Sequence, residues 1–135
     1  MKKIAIQGIE SSFHEEAAYK YFGNNIETVK CLSFQDLCDS LKNGNSDYAV
    51  MAIENSIAGS LLQNYTLLQE YNFNIIGEIF LRIKMNLMVL PGTKIDDIKI
   101  AQSHPIAIRQ CSKFLTGLKD VLLEEKEDTA ICAKN

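Results

Sequence analysis

Three short segments of the chain carry small polar side chains directly after apolar runs: Ser11-Ser12, Glu54-Asn55-Ser56 and Ser103-His104-Pro105. Each stands where a strand-like run gives way to a helical pattern, so that backbone N–H groups without helical partners lie beside side-chain donors. The N-terminus of a helix attracts anions through these donors and through its partial positive charge. Each segment is therefore either a plain helix cap or part of a site for a small carboxylate.

Three side chains in or near these segments could take part in such a site, and each has two interpretations. Gln110 follows Ser103 by seven residues, so on a helix it lies almost directly below it; it either faces a cleft or satisfies a buried backbone group. Glu54 is either a site carboxylate at the end of a strand or a charge at a helix N-terminus. His104 is either a general acid or a cap-region residue before Pro105.

Alternating strand and helix patterns position the first two segments. We predict strands over residues 4–8, 26–31 and 48–53, each a short apolar run. Capping boxes predict helices after Ser12 and Ser33, and a third helix after Ser56 places four side chains on one face, namely Ile57, Leu61, Tyr65 and Leu68. Strand–helix repeats of this length predict the α/β fold class, with a parallel sheet and helices on its faces.

From residue 74 onward the pattern changes. Residues 75–90 are too rich in β-formers for one helix, and polar side chains alternate there with apolar ones. We therefore predict a long strand or strand pair that ends at Pro91-Gly92 and leads into a second lobe. In that lobe we predict a strand over residues 99–102, a helix from Pro105 to Gly117, a strand over 121–124 and a helix capped by Asp128.

The composition excludes several classes of function. With 135 residues and a net charge of −3, the chain lacks the basic face that nucleic acid or an anionic membrane surface requires. No apolar run approaches the ~18 residues of a membrane span, and we expect a cytoplasmic protein. The four cysteines (Cys31, Cys38, Cys111 and Cys132) have neither CxxC spacing nor a histidine at ligand spacing, so we expect reduced thiols and no bound metal.

Five sequence segments together resemble one enzyme family. They are the runs at 8–13 (GIESSF), 53–60 (IENSIAGS), 77–78 (GE), 103–111 (SHPIAIRQC) and 128–130 (DTA). They occur in the same order as in the catalytic domain of prephenate dehydratase. The resemblance implies a two-lobed, periplasmic-binding-protein-like (type II) fold with the active site between the lobes. It also implies the conversion of prephenate to phenylpyruvate in L-phenylalanine biosynthesis, with loss of carbon dioxide and water and with no cofactor.

The resemblance also implies which residues bind the substrate. Matching the motifs position by position assigns this role to Ser12, Glu54, Asn55, Ser56, Ser103, Gln110 and Glu127. Prephenate carries two carboxylates, and an enzyme must hold both of them, orient the ring and protonate the departing hydroxyl. Hydroxyl and amide donors at helix starts suit the first two of these tasks.

The resemblance further predicts how much of the family's catalytic domain the chain contains. We expect a first lobe over residues 1–75 without its C-terminal return and an incomplete second lobe over 76–135, so that the fold is truncated at its C-terminus. The family's Thr-Arg-Phe segment, with its catalytic threonine, and its ACT regulatory domain are absent from the 135 residues. We therefore expect an inactive fragment that self-associates as a homo-oligomer through apolar surface near Ile131. The alternative is a non-catalytic module that binds a small carboxylate as a solute or an effector.

Overall fold

The computed structural model of the chain describes residues 1–56, 59–126 and 132. The chain divides into two compact units, Met1–Arg82 and Ile83–Asn135. Three predicted features, Ile57 on the third helix, the helix capped by Asp128 and the apolar surface near Ile131, lie outside the described residues. In the described part of the chain, every helix is too short or too polar to cross a lipid bilayer.

A three-stranded parallel sheet forms the centre of the first unit. Strand β1 (Lys2–Gln7) lies between β2 (Ile26–Cys31) and β3 (Tyr48–Ala49), with Lys2 opposite Ile26 and Ile4 opposite Tyr48. Because β1 has a neighbour on each side and helices on its faces, its middle residues are fully buried, namely Ile4, Ala5 and Ile6. The predicted α/β class with a parallel sheet is confirmed.

Two capped helices cover this sheet as their sequences predict. Helix α1 (Phe13–Phe22) is capped at its N-terminus by Ser12, whose Oγ accepts a hydrogen bond from the Glu15 backbone N–H at 3.3 Å. Helix α2 (Phe34–Lys42) is capped at its N-terminus by Ser33, whose Oγ accepts a hydrogen bond from the Asp36 backbone N–H at 3.0 Å. Each cap satisfies an N–H group that has no partner within the helix.

The core is divided between the two faces of β1, because successive side chains of a strand point to opposite faces. On one face Ile4 and Ile6 pack with Ala18 of α1 and Ile26 of β2. On the other face Ala5 lies in a cluster with four residues from β2, α2 and the helix α3 (Leu62–Tyr71), namely Cys31, Leu37, Cys38 and Leu67.

The third strand and third helix differ from their predictions. Strand β3 ends at Ala49, and two short strands, β4 (Glu54–Asn55) and β5 (Gly59–Ser60), pair antiparallel before α3 begins at Leu62. The prediction of a helix directly after Ser56 was therefore wrong. Gly59 takes a φ of +77°, a left-handed conformation that suits glycine, and it breaks the helical pattern that the apolar spacing suggested.

The long strand predicted over residues 75–90 is also wrong, since this fully described segment contains neither strand nor helix. A strand needs a neighbour to pair its backbone N–H and C=O groups, and the described residues supply none for this segment. Its large apolar side chains are correspondingly exposed, with Ile75 at 70%, Phe80 at 82% and Leu90 at 80% of their full accessibility.

The second unit contains a smaller parallel sheet. Strand β6 (Ile100–Ser103) pairs with β7 (Leu122–Glu125), with Ile100 opposite Leu122 and Ser103 opposite Glu125. A short 3₁₀ turn, Ile95–Asp97, precedes β6. Both predicted strands are confirmed within one residue, but the single helix predicted between Pro105 and Gly117 is divided at Cys111 into α4 (Pro105–Gln110) and α5 (Ser112–Leu115).

Candidate functional site

The Glu54 carboxylate lies at the centre of a small hydrogen-bonded group of side chains. The hydroxyl of Ser60 lies 2.9 Å from both Oε1 and Oε2 of Glu54, and the phenol of Tyr65 donates to Oε1 at 2.7 Å. We call Glu54, Ser60 and Tyr65 the Glu54 cluster. The pKa of Tyr65 is raised mainly by its hydrogen bond to Glu54 and secondarily by partial desolvation. The phenol therefore stays protonated and acts as a donor.

Sequence reasoning missed Ser60 and Tyr65. Tyr65 was assigned to the apolar face of the third helix, and Ser60 lies inside the segment that was predicted to be helical. In the hairpin, Ser60 is the residue directly opposite Glu54, which brings side chains on the same face within reach of each other. A Gly-Ser pair five and six residues after Glu54 was the available signal for a turn.

Two further hydrogen bonds attach the chain before Glu54 to the start of α3. The Nδ2 of Asn64 donates to the Ala52 carbonyl at 2.6 Å, and the Leu61 N–H donates to the Ile53 carbonyl at 2.8 Å. Asn64 is 1% exposed, so water does not compete for the hydrogen bonds of its side-chain amide. The two residues that precede Glu54 are therefore fixed against the helix that carries Tyr65.

Asn55 and Ser56 follow Glu54 in the same hairpin, Asn55 as the last residue of β4 and Ser56 in the turn. Asn55 is half-buried, and Ser56 is exposed. The structure thus brings Glu54, Asn55 and Ser56 together, but in a hairpin rather than at a helix N-terminus. The expectation of free helical N–H groups at this segment was wrong.

Ser12 is a helix cap, and its surroundings are already occupied by a carboxylate of the protein. The Ser11 N–H donates to Glu15 Oε2 at 2.7 Å, and the Thr28 hydroxyl donates to Glu15 Oε1 at 3.0 Å. Ser11 has a φ of +64°, which is uncommon for a residue other than glycine. We expected the backbone N–H groups of this segment to be available to a ligand, but the Ser11 N–H is already hydrogen-bonded to the Glu15 carboxylate.

The second unit holds Ser103 and Gln110 at different places along one β–α connection. Ser103 is the last residue of β6, and its carbonyl accepts a hydrogen bond from the Lys126 N–H at 2.8 Å. Gln110 is the half-buried last residue of α4. The prediction that Gln110 lies directly below Ser103 assumed that both residues belong to one helix. Ser103 belongs to strand β6, so this prediction does not apply. Glu127 lies outside the described residues.

His104 is the cap of α4. Its Nδ1 accepts a hydrogen bond from the Ile106 N–H at 3.1 Å, and Pro105 occupies the first helical position. The Nδ1 lone pair is occupied in this arrangement, so the structure favours the cap interpretation over a general acid.

The cysteines and the possible metal ligands were the remaining candidates for chemistry. Cys31, Cys38 and Cys111 are free thiols, and burial raises the pKa of the Cys31 and Cys38 thiols, which disfavours the reactive thiolate. Within the described ranges, no three His, Cys, Asp or Glu side chains are grouped so that they could hold a metal ion.

A groove of about 370 Å³ lies elsewhere in the first unit, between the edge strand β2 and helix α2. Its polar lining includes two carboxylates, a hydroxyl and two amides, from Asp36, Asp39, Ser40, Asn43 and Asn45. None of the predicted substrate-binding residues lines it.

Comparison with known proteins gives one consistent family. The model of the prephenate dehydratase family matches residues 4–135. Arogenate dehydratase 2 of Petunia hybrida is 39% identical over 132 residues, which cover 98% of this chain and 33% of that protein. The bifunctional chorismate mutase/prephenate dehydratase of Escherichia coli (strain K12) is 34% identical over 131 residues, 95% of this chain and 34% of that protein. The chain therefore spans about one third of the length of these relatives.

A solved structure is also similar. It is described as GqqA, a novel type of quorum quenching acylase, and it superposes with a TM-score of 0.78 at 29% identity. The match covers 96% of this chain and 46% of that one. The fold is thus shared with a protein whose name gives a different activity, which is common among α/β folds.

Proposed function

Since the chain belongs to the prephenate dehydratase family, we propose that it binds prephenate and provides substrate-binding residues for its conversion to phenylpyruvate. The observation that carries this proposal is the family match, which extends over residues 4–135 and so includes every predicted binding position from Ser12 to Glu127. Membership of a dehydratase family favours this function over the non-catalytic carboxylate-binding module. The two-lobed, periplasmic-binding-protein-like (type II) fold and the cytoplasmic location belong to the same proposal, although two Arabidopsis thaliana relatives are named as chloroplastic.

The reaction itself explains why amides and hydroxyls suffice in this role. The bond from the ring to its carboxylate breaks, carbon dioxide leaves, and the bonding electrons complete the aromatic ring as the hydroxyl departs with a proton as water. Because aromatisation drives the reaction, the protein must mainly orient the substrate and manage one proton. Asn55, Ser103 and Gln110 provide neutral hydrogen-bond donors for the two carboxylates.

The first test is binding of prephenate by the 135-residue chain, measured by calorimetry and by the shift of the thermal unfolding midpoint. A ligand at 100 times its Kd stabilises the folded chain by about 2.7 kcal/mol. We expect Asn55→Ala to weaken binding about tenfold, because one charge-assisted hydrogen bond is lost. The matched control is Asn86→Ala, since Asn86 is an exposed asparagine outside the predicted site. A wild-type chain that neither binds prephenate nor forms phenylpyruvate would contradict the proposal.

The second test is turnover. Because the 135 residues contain no Thr-Arg-Phe segment, we propose that this chain by itself binds prephenate but forms little phenylpyruvate. Rapid formation of phenylpyruvate by the pure chain would overturn the proposed inactivity and would strengthen the proposed family function.

A further inference from the structure

The geometry of the Glu54 cluster leaves one carboxylate oxygen with spare acceptor capacity. A carboxylate offers about four acceptor positions, two on each oxygen. Tyr65 occupies Oε1 at 2.7 Å, and the single hydroxyl proton of Ser60 can bond only one of the two oxygens at a time. Oε2 is therefore the oxygen that remains more available to another donor.

The cluster also restrains a side chain that would otherwise be mobile. Glu54 is exposed, and an exposed glutamate normally samples many rotamers, so that fixing it costs conformational entropy. Here two donors from different elements, Ser60 on β5 and Tyr65 on α3, hold the carboxylate. The bonds from Asn64 to Ala52 and from Leu61 to Ile53 fix these elements relative to β4.

A negatively charged acceptor selects among the groups of prephenate. The two substrate carboxylates are repelled by Glu54, and the keto group is itself an acceptor. The ring hydroxyl is the only donor on the dianionic substrate, and it is also the group that departs in the reaction.

We infer that Ser60 and Tyr65 are positioning residues, which hold the Glu54 carboxylate so that its Oε2 accepts a hydrogen bond from the ring hydroxyl of prephenate. This inference rests on the proposed function. An oriented hydroxyl presents its oxygen lone pairs to whichever group protonates it, and the product, which lacks the hydroxyl, loses the contact with Glu54.

The test measures the affinity of the chain for prephenate and for phenylpyruvate by calorimetry. We expect Tyr65→Phe and Ser60→Ala each to weaken prephenate binding about three- to tenfold, since each removes one hydrogen bond that orders Glu54. Glu54→Gln should weaken it at least as much. The affinity for phenylpyruvate should stay unchanged in all three variants, because this ligand offers no hydroxyl to Glu54.

The matched control is Tyr71→Phe. Tyr71 lies on the same helix and also donates to a carboxylate, Asp39 Oδ1 at 2.6 Å, but Asp39 lies on α2. This variant should leave prephenate affinity unchanged.

A double variant tests whether Tyr65 acts through Glu54. Adding Tyr65→Phe to Glu54→Gln should weaken prephenate binding by less than about twofold, because the carboxylate that Tyr65 orders is then already absent. A second readout is the titration of the Tyr65 phenol, which should occur at lower pH in Glu54→Gln.

The outcomes separate this inference from the proposed function. If prephenate binds but Tyr65→Phe has no effect, or has its full effect in the Glu54→Gln background, the inference is overturned and the proposed function stands. If the variants weaken phenylpyruvate as much as prephenate, contact with the hydroxyl is overturned. If the wild-type chain binds no prephenate, the proposed function and this inference both fail.

Discussion

The two units of the chain bury their apolar residues to different extents, although each is built on a parallel sheet. In the first unit β1 is central, and Ile4, Ala5 and Ile6 are all 0% exposed. In the described part of the second unit the sheet has two strands, and Ile100 and Leu122, which lie opposite each other in it, are 50% and 61% exposed. A strand becomes fully buried when it has neighbours on both sides and helices on both faces, and neither strand of a two-stranded sheet has two neighbours.

This difference indicates that most of the packing energy of the described residues lies in the first unit. Its two core clusters contain nine buried residues, whereas the buried apolar residues described in the second unit are Ile98 and Ala107. Stability should therefore be unequally distributed along the chain, with the second unit opening at lower free energy.

The largest expected effect compares one core residue from each unit. Leu37→Ala should reduce the free energy of unfolding by about 3 kcal/mol, because Leu37 is 1% exposed and its removal leaves a cavity in a packed cluster. Ile98→Ala should cost only about 1 kcal/mol, because the thinly packed second unit can relax around it. Urea unfolding followed by circular dichroism measures both values. Equal losses for the two variants would contradict the comparison.

A buried amide should give the next largest effect. Asn64→Ala should cost about 2 kcal/mol, because it removes a buried side chain and leaves the half-buried Ala52 carbonyl without its side-chain donor. The counterpart in the second unit is Asn86, an exposed residue whose Nδ2 donates to the Lys84 carbonyl at 3.4 Å. Asn86→Ala should change the unfolding free energy by less than about 0.5 kcal/mol. A cost for Asn86→Ala that matched Asn64→Ala would show that burial does not distinguish the two units.

The smallest effect concerns a hydrogen bond between helices of the first unit and depends on pH. The bond from Tyr71 to Asp39, helped by partial desolvation, raises the pKa of Tyr71 to about 12. Because the folded-state pKa is raised, this contribution to stability is fully present below the ordinary phenol value of about 10 and is lost as the pH rises through about 12. The difference in urea midpoint between wild type and Tyr71→Phe should therefore shrink across this window. A difference that stayed constant or grew would show that Tyr71 stabilises by packing instead.

The parts of the fold that depend on neighbouring residues in sequence were predicted well. The caps at Ser12 and Ser33 were identified from residues three positions apart, and β1, β2, β6 and β7 from short apolar runs. These features need only local backbone geometry and burial of one apolar side.

The errors lie where pairing over a distance decides the structure. Residues 75–90 have a strand-like pattern but no partner strand in the described chain. The apolar spacing through Leu61 and Tyr65 predicted a helix where β4 and β5 pair instead. Periodicity reports which side chains favour burial, but it does not report whether a partner is available.

The sequence by itself determined the α/β class and the family, because motif order and apolar spacing are properties of the chain alone. Only the tertiary structure showed that the Glu54 carboxylate is held by Ser60 and Tyr65, six and eleven positions further along the chain. The physical reason is that a hydrogen bond depends on distance and direction between two atoms. These are set when the hairpin closes and α3 packs against it.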